Sequence, residues 1–196
     1  DPDLVQGSGK VCLPTVVSEA KYLVNIALPR PHTLAGVTLC AKNHFGSVWH
    51  PTNYEHYHGW HPAFMHDAVA AHSRAGSIER PMGSYNALVD LMGHKDLGGK
   101  TLLFIVECIQ YRYWSAPPFN GGPASSLFMS QDNVAIESVL LDFLRSEGAV
   151  ASGSVDNYLH EAAQAGNPPS GTVYDPENDG IPLESLGVHE HWNNST

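Results

Sequence analysis

The chain has 196 residues, 42% of them hydrophobic, which suits a single domain with a real core. Its formal net charge is −10, with only 10 Lys and Arg and no basic cluster, so it lacks the surface that a nucleic-acid binder needs to displace counterions and is disfavoured at anionic membranes. No apolar run reaches the length of a membrane span.

The chain opens at Asp1 in loop-like sequence without an initiator Met or a signal segment, as a processed or partial chain would. The first expected strand is Lys21 to Leu28, apolar, β-branched and ended by Pro29. A loop from Pro29 to Thr33 follows, and Ala35 to Gly46 reads as a short helix stopped by Gly46. Ser47 to His61 is loop-like, aromatic and rich in histidine. Pro62 suits a first helical turn, with Phe64, Met65, Ala68, Val69 and His72 on one face and an end near Gly76. Ser84 is placed to cap the next helix, with Ala87, Leu88, Leu91 and Met92 inward and Gly93 closing it.

Thr101 to Ile109 is the clearest strand. Its continuous apolar run predicts burial on both faces, as in a parallel sheet. A long Pro, Gly and aromatic loop runs from Gln110 to Pro123, and Ser125 to Met129 is a short strand. Asp132 then caps the best helix, with Ala135, Ile136, Val139, Leu140, Phe143 and Leu144 inward, Glu137 outside that set and Gly148 at its end. A smaller helix turns Tyr158, Leu159, Ala162 and Ala163 inward. Strands alternating with helices predict an α/β fold: layered, with a mostly parallel sheet, flanking helices and long His- and aromatic-rich loops. Residues 1–196 read as one domain. Active groups in such folds gather beyond the carboxyl ends of strands, which selects the loop after Leu28, the loop after Ile109 and the turn into Asp132.

Those three places carry a family resemblance. Asn25-Ile-Ala-Leu-Pro-Arg-Pro-His32, then Ala35-Gly-Val-Thr38 and Ala41-Lys-Asn-His-Phe-Gly46, resemble the central signature of the DUF362 family. Leu103 to Ile109 resembles its later strand, Ser130 to Glu137 its D-P-V-A-x-D helix start, and Gly187 to Trp192 the closing segment of secreted members. Asn133 stands where the family usually has Pro, and Glu107 and Glu137 where it usually has Asp. The resemblance runs from about Ala20 to the end, and implies the C-terminal portion of the family domain without its earlier strands and helices. It implies a secreted or cell-envelope protein but no general activity.

Histidine is over-represented, with 12 in the chain and seven between His44 and His72. His56, His58 and His61 lie within six positions, and imidazole is the commonest ligand for divalent transition metals. A metal of open identity on these three is one reading; an aromatic loop with packed histidines is the other. The three cysteines, Cys12, Cys40 and Cys108, form no C-x-x-C, which argues against an iron–sulfur cluster within the chain. One disulfide with one thiol over, or three buried thiols, both fit.

His32 after a strand end suits an acid or base, with Lys42 as contact for a small anionic ligand and Asn43 orienting it. Glu107 and Asp132 would meet across adjacent strand ends as supporting carboxylates, although an N-cap is the plainer role for Asp132. His189-Glu190-His191 reads equally well as a metal pair or a surface turn. Asn193 and Asn194 open N-x-S/T sequons, which fit an extracellular glycoprotein. Two functions follow. One is a metal-dependent extracytoplasmic enzyme acting on a small anion. The other is a non-catalytic binding or assembly subunit, homo-oligomeric or otherwise, using the aromatic loops Trp49–Trp60 and Tyr111–Phe119 as contact surfaces.

Overall fold

The computed structural model describes residues 13–32, 36–48, 82–109, 125–146 and 154–191. The predicted helix from Pro62, the loops 49–61 and 110–123, His56, His58, His61, Cys12 and both sequons lie outside those residues. The elements in chain order are α1 (Thr15–Ser18), β1 (Leu23–Ala27), β2 (Arg30–His32), β3 (Gly36–Thr38), α2 (Cys40–His44), α3 (Ala87–Gly93), β4 (Thr101–Cys108), β5 (Ser126–Ser130), α4 (Asn133–Ser146) and α5 (Asn157–Ala163).

The α/β class holds, with a difference in the sheet. β4 lies between β1, to which it is parallel, and β5, to which it is antiparallel. The described sheet is therefore mixed rather than mostly parallel. β2 and β3 form a separate antiparallel pair, Arg30 opposite Thr38 and His32 opposite Gly36.

Period-two alternation gives the sheet two unlike faces. Asn25 and Ala27 of β1 sit beside Phe104 and Val106 of β4, all buried beneath the helices. Helix α2 packs on β1 and β4, and α4 packs on β5 and α2, while α5 joins α3 and α4. On the other face Val24, Ile26, Leu127 and Met129 are each more than half exposed. The expectation that β4 is covered on both sides is thus corrected among the described residues. A run of aliphatics reports high β-propensity, but it does not say whether the second face is covered.

Three local expectations also change. The segment from Ala35 to Gly46 is strand then helix. Gly36 has φ +76° with Val155 pressed against it, Val37 and Thr38 pair with β2, and helix begins only at Cys40. Helix α3 is capped by Asn86, whose side-chain oxygen accepts from Leu88 N at 3.0 Å, and not by Ser84. Glu137 is fully buried rather than solvated. Its carboxylate accepts from the backbone N–H of Ala41 and from Tyr158 Oη at 2.5 Å, so it closes the start of α2 from a neighbouring helix.

Half of the expected interior of α4 is buried, namely Ile136, Leu140 and Leu144, joined by Val134 and Leu141, while Ala135, Val139 and Phe143 are half-buried. Burying each such aliphatic contributes roughly 1.5–3 kcal/mol. Cys40 and Cys108 are free thiols in the same core. Burial pushes both upward, Cys108 to about 12. No described helix is long and apolar enough to cross a membrane.

Candidate metal centre

The sequence-predicted residues do not form one site. His32 ends β2 with its backbone opposite Gly36. Lys42 is buried on α2 with Nζ 3.8 Å from the centre of the Phe45 ring, and burial lowers its pKa to about 8. Asn43 is exposed but engaged: its Nδ2 donates to Asn25 Oδ1 at 2.8 Å and to Ile26 O at 3.1 Å. Asn25 in turn donates to Cys40 O and to His44 Nε2, both at 2.9 Å, so His44 is held neutral, and burial lowers its pKa to about 4. This arrangement clips α2 to the end of β1.

Glu107 accepts from Ile109 N at 2.6 Å. Asp132 caps α4 by accepting from Ala135 N at 2.8 Å with Oδ1, while its Oδ2 accepts from Val188 N at 3.0 Å. The expected meeting of these two acids is corrected by register. Glu107 lies opposite Leu127, whereas Ser130, two residues before Asp132, lies opposite Phe104. Because β4 and β5 are antiparallel, their carboxyl ends point in opposite directions.

A different cluster does converge. Asp156 stands immediately before α5 and His160 follows one turn later, so the two share a flank. The core face of that helix, Tyr158, Leu159 and Ala162, fixes its rotation. A C-terminal strap, residues 186–191, lies along α4 and α5. Leu186 N donates to Ala162 O at 3.0 Å, and Val188 to Asp132 as above. The strap lays His189 against His160, with their Nε2 atoms 3.2 Å apart and their rings edge to face at 4.3 Å. One ligand atom from each of Asp156, His160 and His189 falls within 4.8 Å of the others. Two imidazole nitrogens bound to one tetrahedral ion at about 2.0–2.1 Å would stand roughly 3.3 Å apart. The observed spacing thus already matches a shared ion.

Hydrogen bonding fixes the tautomer of His189. The Ser138 hydroxyl donates its single proton to Val134 O at 2.7 Å, so toward His189 Nδ1, also 2.7 Å away, it accepts. His189 therefore carries its proton on Nδ1 and turns a bare Nε2 toward His160. Burial, then His160 and His191 beside it, lowers its pKa to about 4, which keeps the ring neutral. A hydroxyl or carbonyl partner on the distal nitrogen is the usual outer support of a ligating histidine.

Around the three ligand residues lies a charged frame. His191 Nδ1 donates to the buried Asp142 Oδ2 at 3.0 Å. Arg145 bridges the carboxylates, with Nη2 2.9 Å from Asp156 Oδ2 and Nη1 3.6 Å from Asp142 Oδ1. The residue set, two imidazoles and a carboxylate, suits Zn²⁺, Fe²⁺, Co²⁺ or Ni²⁺ better than Mg²⁺ or Ca²⁺, which favour oxygen ligands.

Sequence reasoning singled out His189 and His191 but not their partners. The available signal was the Asp156-x-x-x-His160 spacing at a helix start. The proposed set His56, His58 and His61 lies outside the described residues, as does the side chain of His32.

A family model described as Domain of unknown function (DUF362) matches residues 4–142. Its span begins earlier than the resemblance read from Ala20, and it stops before Asp156. No curated protein and no solved structure matches the chain.

Proposed function

The chain belongs to the DUF362 family, a domain of unknown function, and within that family we propose that it is a metal-dependent protein whose ion sits on Asp156, His160 and His189. The observation that carries this reading is the 3.2 Å approach of two Nε2 atoms, one of them fixed bare by Ser138. Three protein ligands leave coordination positions open, the pattern of a catalytic rather than a closed structural ion. Open positions on a divalent ion favour a small anionic substrate, a carboxylate or a phosphate. The sequons at Asn193 and Asn194 support an extracytoplasmic setting for this chemistry.

The test is metal content of gently purified protein by elemental mass spectrometry, followed by calorimetric titration of the stripped protein with Zn²⁺. Near-stoichiometric binding, lost in a His160→Ala, His189→Ala double variant, is expected. A native protein without metal that also takes up none of Zn²⁺, Co²⁺ or Fe²⁺ would overturn the reading.

A second reading, a binding or assembly subunit, draws on the exposed sheet face of Val24, Ile26, Leu127 and Met129. Sedimentation of the chain alone separates the two. A metal-free oligomer that Ile26→Glu and Met129→Glu dissolve would favour assembly.

A further inference from the structure

Asp132 has its side-chain hydrogen bonds to Ala135 and Val188, and so holds the segment that brings one of the candidate ligands in. Its two carboxylate oxygens do different work: Oδ1 caps α4 through Ala135 N, and Oδ2 takes the Val188 N–H, one residue before His189. The strap then meets α4 again at Ser138 through His189 and at Asp142 through His191. The strap can lie this close only because residue 187 is glycine. Its φ is +152°, and a Cβ there would stand 2.1 Å from Asp132 Oδ1. The other two candidate ligand residues are His160 within α5 and Asp156 immediately before it. The ion site is therefore divided between a helix and a segment tied down by hydrogen bonds.

We propose that Asp132 is a positioning residue of the metal centre and that ion binding and strap docking are coupled through it. The inference rests on the metal reading above. Coupling is reciprocal: whatever holds the strap raises ion affinity, and the ion in turn holds the strap.

The decisive variant is Asp132→Asn. Asparagine caps a helix as well as aspartate, so α4 keeps its start. Its amide Nδ2, however, replaces Oδ2 and presents a donor to the Val188 N–H, so the strap loses its first tie. Gly187→Ala attacks the same contact from the strap side. Three readouts are used on the full chain: Zn²⁺ affinity by calorimetry, hydrogen exchange of the strap amides with and without Zn²⁺, and the melting temperature of the apo protein. The expected result is about tenfold or weaker Zn²⁺ binding in both variants, the magnitude usual for loss of outer support. The melting temperature of apo Asp132→Asn should hardly move, and strap protection should rise on adding Zn²⁺ to the wild type. If wild type binds Zn²⁺ and both variants bind it equally well, the positioning role of Asp132 is refuted while the metal site stands. If wild type binds none of Zn²⁺, Co²⁺ or Fe²⁺, both the site and the coupling fall.

Discussion

His160 and His189 face each other across 3.2 Å through their Nε2 atoms, although 29 residues separate them in the chain. One comes from a helix, the other from a strap, and Ser138 decides which nitrogen of His189 is bare. Removing that hydroxyl should therefore be felt at the ion. Ser138→Ala is expected to weaken Zn²⁺ binding about tenfold, because the Nδ1 proton loses its acceptor and the ring its orientation. Calorimetric titration of the stripped variant checks this, and an unchanged affinity would remove Ser138 from the site.

Glu137 predicts a pH dependence of stability. Burial raises its folded pKa from 4.5 to about 7 and outweighs the donors from Tyr158 and from the start of α2. The folded protein therefore holds this proton more tightly than the unfolded chain. The favourable contribution is complete below about pH 4.5 and is lost as pH climbs to about 7, a change of roughly 3 kcal/mol. Glu137→Gln should flatten that part of the curve in urea denaturation repeated from pH 4 to 8. A variant as steep as the wild type would assign the slope elsewhere.

Lys42 leads to the opposite sign of substitution effect. Its ammonium is buried against Phe45, and burial lowers its pKa to about 8 against 10.5 unfolded. Charging it inside the fold costs stability at neutral pH, and the cost fades as pH rises from about 8 to about 10.5. Lys42→Met, which keeps the chain length and drops the charge, should stabilise by about 1–3 kcal/mol at pH 7. Destabilisation instead would show that the ammonium has an electrostatic partner worth more than its burial.

Asn133, at the first position of α4, is buried with neither side-chain polar atom hydrogen-bonded among the described residues. Proline is favoured at a first helical position, where the missing N–H is not needed. Asn133→Pro removes an orphaned buried amide and should raise stability by about 1–2 kcal/mol. A shift of the urea midpoint to higher concentration, with unchanged slope, is the expected result. A lower midpoint would mean that the amide has a partner such as a buried water.

The elements legible in the sequence were those with a local cause. β1, β4, β5 and α4 follow from apolar runs and period, and the Asp132 cap follows from residue type. What was not legible depended on partners distant in sequence. The uncovered face of β4 looks the same in sequence as a covered one. Glu137 reads as a solvated helix residue until α2 and Tyr158 are brought to it. The start of α2 at Cys40 has no local signal, because its Ala41 N–H is met by Glu137 of α4 and not by a local cap. At the proposed metal centre the local signals are present separately, an Asp156–His160 pair at helical spacing and a His-x-His near the end. Only the strap, anchored by Asp132 and permitted by Gly187, joins them.

The two buried thiols have a practical meaning. Cys40 opens α2 and Cys108 ends β4, both fully covered and both disfavoured as thiolates. Alkylating reagents attack the thiolate and need access to it. Labelling of these two positions in native buffer therefore counts excursions in which the helices lift from the sheet. The chain contains its own clock for that opening, and running it with and without Zn²⁺ would tell whether an ion at the far end of α4 is felt at the heart of the sheet.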